Sequence, residues 1–190
     1  LLQRLSDQDD LVVGIPVAGQ SITGRHHLVG HCLHMLPLRI RGASGDRFSD
    51  FLARVRTGLL EARDHQGASL GSVVQAVRPP RDPGRLTLVE VVFNLDRSLP
   101  DLDFEGVAAT VEETGKSFST FDLFFNLNEM EGATKTLTLN LDYAASLYSE
   151  ATVRGWVAAY EAWLLELGRD SKPRVSELPL PDETVVRSRA

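Results

Sequence analysis

Residues 29–39 read VGHCLHMLPLR, and the fold assigned to this stretch decides how the rest of the chain is read. It sets His31, Cys32 and His34 within four positions, spacings that on a helix could gather metal ligands. Gly30 and the run Leu33 to Ile40 argue instead for a loop entering a strand, where successive side chains turn to opposite faces. Pro37 lacks a backbone donor and so belongs at a sheet edge, a bulge or a crossing loop. Just upstream, Leu11 to Val17 (LVVGIPV) is rich in β-branched residues and reads as a buried strand closed by Ala18-Gly19. Residues 20–30 read as the loop between the two.

Downstream, Phe48, Phe51, Leu52, Val55, Leu59 and Ala62 recur at three-four spacing and predict a helix from about Asp46 to Asp64. A short helix follows from Ser69 to Val77 and is stopped by Pro79-Pro80. Leu86 to Leu95 has the nearly continuous apolar character of a central strand. Phe121 to Leu127 and Leu137 to Tyr143 alternate, with Gly132 between them, which predicts a hairpin. A last helix starts at the N-cap Ser149, turns Val153, Trp156, Val157, Tyr160, Leu164 and Leu167 inward, and has Gly168 as its C′ residue. Leu1, Leu2 and Leu5 would share one face of a helix whose beginning is missing, so the chain is expected to be a piece of a longer polypeptide. The fold class expected is an α/β (α+β) two-layer lobe, a mixed β-sheet flanked by helices. Residues 1–170 would form it. From Ser171 the proline and charge content rises, and 171–190 reads as a linker toward a following domain.

Composition narrows the function classes. Hydrophobic residues make up 43% and charged residues 24%, which is globular rather than disordered. A net charge of −6 offers no footprint for nucleic acid. No apolar run approaches the roughly 20 residues needed to cross a bilayer, so no membrane partner is expected. The single cysteine, Cys32, excludes an internal disulfide framework and fits a reducing cytoplasm.

The residues alone supply no self-contained active site. No second cysteine or carboxylate group stands near the histidines to close a metal site, and none is assigned. His26-His27 imitates the start of a His-His-x-x-x-Asp-Gly acyltransferase motif, but His31 and Cys32 stand where Asp and Gly are needed. There is no Gly-x-Ser-x-Gly elbow, and Cys32 lies in an apolar stretch, where packing is the ordinary role. The glycines near Val12 make no dinucleotide or phosphate-loop fingerprint.

Three stretches in order carry a resemblance: VGHCLHMLPLR (29–39), HQGASLG (65–71) and RDPGRLTL (81–88), the last followed by VEVVFNLD. Together they resemble the fifth, sixth and seventh motifs of the condensation domain of non-ribosomal peptide synthetases, within the chloramphenicol-acetyltransferase-like superfamily. LVVGIPVAGQ, FDLFFNLNE and LDYAASLYSEATVRGW resemble that family's flanking strands and closing helix, and the resemblance runs from Leu1 to about Leu180. It points to the C-terminal lobe of a V-shaped pair, with a tunnel between the lobes. The histidine motif belongs to the N-terminal lobe, so no catalytic residue is expected in this chain.

The resemblance implies amide-bond formation between thioester substrates in non-ribosomal peptide or hybrid polyketide–peptide biosynthesis, the isolated lobe being inactive. No cofactor would be bound directly, substrates arriving on the phosphopantetheine of carrier proteins. The implied partners are the N-terminal lobe, peptidyl or acyl carrier proteins and an adjacent adenylation domain. Gln20, His31, His34 and Asn94 are the candidates to face the tunnel. Arg39, His65, Arg81 and Asp82 match motif positions and are expected to tie loops down. Departures are Cys32, His34, Met35 and Gln20, with Gly67 and Ser69-Leu70-Gly71 in the sixth motif. The alternatives are a non-catalytic lobe that docks a carrier protein or partner enzyme, and a lobe of an ester-forming or epimerising relative.

Overall fold

The computed structural model of the chain describes residues 1–20, 24, 27–42, 45–80, 83–97, 104–107, 118–130 and 136–180. Five strands make one mixed sheet. β1 (Asp10–Ala18) and β2 (Leu33–Arg41) pair antiparallel along their full length, Asp10 opposite Arg41 and Ala18 opposite Leu33. β3 (Val91–Arg97) lies parallel to β1, and β4 (Leu123–Met130) lies parallel to β3. β5 (Thr136–Tyr143) closes the sheet antiparallel to β4, giving the order β2-β1-β3-β4-β5. Pro37 thus sits in an edge strand, where its missing donor costs no ladder bond to a second neighbour.

Register sorts the side chains by face. Leu38, Val13, Val91, Leu123 and Tyr143 stand in one row, and with the residues two apart they form an apolar face. Helix α1 (Leu2–Ser6), α2 (Phe48–Asp64) and α4 (Glu150–Arg169) all pack on that face. Leu1, Leu2 and Leu5 join Leu123, Phe125, Val153 and Trp156 in one core cluster. Phe125 meets Tyr160 edge to face at 5.9 Å, and Trp156 meets Tyr148 likewise at 5.0 Å. Gly58 of α2 is stacked over Leu38. Ser149 and Ser69 cap α4 and α3 (Leu70–Val77), accepting from Thr152 N at 3.2 Å and Ser72 N at 3.1 Å.

Four expectations are corrected. The strand expected over 86–95 begins only at Val91, because Leu88 adopts φ 77° and turns the chain. That turn drives the buried Val89 onto the other face of the sheet against Gly14, where a Cβ would lie 2.5 Å from Val89 Cγ1 and 2.7 Å from Met35 Sδ. Leu52 and Leu164, expected inward, are exposed, and Trp163 takes the inward place in α4. The last helix runs through Gly168 to Arg169, so Gly168 is not its C′ residue.

The stretch expected as a linker is docked as far as 180. Val175 and Leu178 are buried, and Trp163 Nε1 donates to Pro179 O at 2.5 Å. Phe48 N and Ser49 N donate to Pro173 O and Ser171 O, and Arg4 donates to Val175 O at 3.0 Å. The carbonyls of this segment are satisfied by donors elsewhere in the chain, a docking that composition does not distinguish from a free linker.

Candidate functional site

The three parallel strands end on the same side of the sheet, the position at which open α/β sheets hold ligands. Among the candidate tunnel residues, Gln20 follows β1 at this end, and His34 stands in the first turn of β2 beside it. Gly19 N donates to Cys32 O at 2.6 Å, and a Cβ on Gly19 would strike the His34 ring, at 2.6 Å from Cδ2. A glycine is therefore required for the ring to lie against the β1 end. His31 precedes the strand and is exposed. His34 stands opposite Val17, on the same side as Leu36 and Leu38.

Asn94 is on β3 on the opposite face, with Val92 and Gly14. It is half-buried, and its Nδ2 donates to Asn126 Oδ1 at 3.0 Å. The structure thus sets the His34 ring against Gly19, the residue before Gln20, and Asn94 on the far side of the sheet from His34. Among the described residues no three His, Cys, Asp or Glu side chains come close enough to share a metal ion. No helix among them is long and apolar enough to cross a membrane.

Of the motif residues, Arg39 lies toward the other end, where β1 begins. Arg39 Nε and Nη2 donate to the two carboxylate oxygens of Asp10 at 2.8 and 2.6 Å, and Arg41 Nε adds a bond at 3.2 Å. Hydrogen bonding from Arg39 holds the Asp10 carboxyl down at about 2. His65 is the C-cap of α2, its Nδ1 2.8 Å from Glu61 O. Arg81 and Asp82 lie outside the described residues, as does His26.

Two sets of residues are not singled out by sequence alone. Arg85, in the third motif stretch, pairs with Asp122 at 3.6 Å and Glu90 at 3.4 Å, and Asp122 foremost raises its pKa. Asn126 and Asn140 stand in register with Asn94 across three neighbouring strands. Their signal was present: Phe93-Asn94-Leu95, Phe125-Asn126-Leu127 and Leu139-Asn140-Leu141 repeat one pattern in three strands. A polar residue between two apolar ones marks the opposite face of each strand.

Comparison with known proteins agrees with this architecture. The Condensation domain family model matches residues 1–187, and the chain belongs to that family. Tyrocidine synthase 2 of Brevibacillus parabrevis is 33% identical over 156 residues, 80% of this chain and 4% of that protein's length. The X-domain from teicoplanin biosynthesis superposes with a TM-score of 0.82 at 22% identity, covering 94% of this chain and 41% of that one. The starter condensation domain of rhizomide synthetase gives 0.72 at 19% identity, covering 95% of this chain and 42% of that one. The two structural likenesses establish the fold.

Proposed function

We propose that the chain is the C-terminal lobe of a condensation domain that joins two carrier-bound substrates through an amide bond in non-ribosomal peptide biosynthesis. The observation that carries the reading is family membership over residues 1–187, combined with a match to nearly all of this chain but only 42% of a condensation domain of known structure. The ordered resemblance of the three motif stretches supports the same side of the domain.

The chemistry divides accordingly. The acceptor amine attacks the donor thioester, the thiolate leaves, and an amide forms. A tunnel between two lobes holds both tethered groups in attack geometry, so orientation supplies much of the rate. The base or hydrogen-bond donor belongs to the other lobe's His-His-x-x-x-Asp-Gly motif, so this lobe contributes a wall and positioning groups. Substrates would come on phosphopantetheine arms of carrier proteins, with an adenylation domain as neighbour, in the cytoplasm.

The test is amide formation read by intact mass of acceptor carrier protein. The complete domain, this lobe joined to the histidine-bearing lobe, is expected to extend the acceptor; the 190-residue chain alone is expected to give no product. Product from the chain alone would overturn the division of labour. Carrier binding without product in the complete domain would replace the reading with a docking role.

A further inference from the structure

We propose that a second copy of this chain docks along the outer edge of β5, so that two lobes share one continuous sheet across a two-fold axis. The proposal goes beyond the functional reading above and does not depend on it. Among the described residues β2 and β5 are the two edges of the sheet, and they are guarded differently. β2 carries Pro37, and its Arg39 and Arg41 side chains are 59% and 66% exposed. Proline and exposed cations on an edge discourage a further strand. β5 reads TLTLNLDY, with no proline, glycine, lysine or arginine and with Asp142 as its one charge. Its eight residues pair with β4 without a bulge, which sets the outer row of backbone groups in line for another strand.

The strand is complementary to itself. Leu137, Leu139, Leu141 and Tyr143 lie on the face that the helices cover, and Thr138, Asn140 and Asp142 lie on the other. In an antiparallel pair, residues directly opposite share a face, and a slip of one residue sets apolar against polar. Pairing centred on Asn140 meets that condition along the strand. Leu137 falls opposite Tyr143 of the second copy, Leu139 opposite Leu141, and Thr138 opposite Asp142. No like charges meet, because the Asp142 carboxylate faces a hydroxyl that can donate to it. Leu137, 61% exposed in the single chain, is covered by the partner strand.

Space for those side chains is present beside β5. On the helix face, between β5 and α4, lies an open groove of about 390 Å³ walled by Leu141, Tyr143, Val153 and Val157. A strand added outside β5 turns every second side chain toward that groove. The charges on α4 favour a second copy over an unrelated strand. Arg154 and Glu161 both border the groove, seven residues and so about two turns apart on one side of the helix. A two-fold axis sets the two α4 helices antiparallel on either side of the new strand pair, with Arg154 of each copy toward Glu161 of the other. Arg154 already holds Glu150 at 2.6 Å, and its guanidinium has further N–H groups for a second carboxylate.

The experiment is sedimentation velocity of the 190-residue chain from micromolar to submillimolar concentration. The expected result is a reversible shift from the 20.9 kDa chain to a species of twice that mass. Leu137→Lys changes an exposed side chain that the single chain does not bury, and is expected to weaken association by about tenfold or more. Arg154→Glu and Glu161→Arg are each expected to weaken it by about threefold or more, and the double exchange to restore it. Restoration is a readout that mere damage to α4 would not give, and the melting temperature of each variant checks its fold. A chain that stays monomeric at every concentration, or a dimer that Leu137→Lys leaves intact, would overturn the inference. So would charge variants whose losses add in the double exchange.

Discussion

The two ends of the sheet are built differently. At the end where β1, β3 and β4 begin, side chains are tied by charge and backbone is shared. Arg39 and Arg41 hold Asp10, Arg85 bridges Glu90 and Asp122, and Asp122 N donates to Glu90 O while Ala144 N donates to Asp122 O. Toward the end where those strands finish stand the carboxamides and imidazoles: Gln20, His31, His34 and the asparagine row. Ion pairs tie the first end of the lobe, whereas the second carries carboxamides and imidazoles with the Asp96 carboxylate beyond them. Fixed ion pairs position a framework well, at a desolvation cost that grows with burial.

The largest blow to this contrast should come from beneath both ends. Trp156 packs on Leu123, Phe125 and Val153 in the shared core, so Trp156→Ala is expected to cost about 3–5 kcal/mol in urea unfolding. Hydrogen exchange should then quicken at β3 and β4 along their full length; quickening confined to one end would split the lobe into two independent units. Next in size is Arg85→Ala, which removes the Arg85 guanidinium from beside Glu90 and Asp122, the latter 13% exposed. A loss of about 1–3 kcal/mol is expected, and a neutral result would show that the charged end needs no such tie.

At the opposite end, His31→Ala should change stability by no more than about 0.5 kcal/mol, since the side chain is exposed. A large loss of stability there would break the distinction between framework and site. The smallest effect concerns Asp10. Its carboxyl titrates at about 2, below the ordinary 3.8, so its stabilising contribution is full above the unfolded value and is lost as pH falls from about 4 toward 2. The pair is exposed and screened, so Asp10→Asn should lower the melting temperature only slightly at pH 7, with the difference gone near pH 2. A difference that persists below pH 2 would assign the effect to something other than charge.

Much of the framework was legible because its signals are local. Period-two alternation located β4 and β5, three-four spacing located α2 and α4, and a serine cap located the start of α4. What was misread depends on partners distant in sequence. Leu86 to Val89 has strand composition, yet the space over Gly14 takes Val89 and forces Leu88 to positive φ. Leu52 and Leu164 fit a periodic stripe, but which side of a helix is covered depends on where the sheet lies. The segment 171–180 looked like a linker because its contacts are to residues 4, 45–49 and 163, far away in the chain.

For the candidate site the division is sharper. Sequence alone determined most of the strands and helices, the three ordered stretches and flanks that mark the family, and Asn94 as a residue of interest. The tertiary structure alone decided that Asn94 and His34 face opposite sides of the sheet, and that Asn126 and Asn140 stand in register with Asn94. The physical reason is that a pattern fixes which face of its own strand a residue occupies, whereas neighbours are set by the order and register of pairing. Those depend on contacts between segments tens of residues apart, made only when the whole core closes.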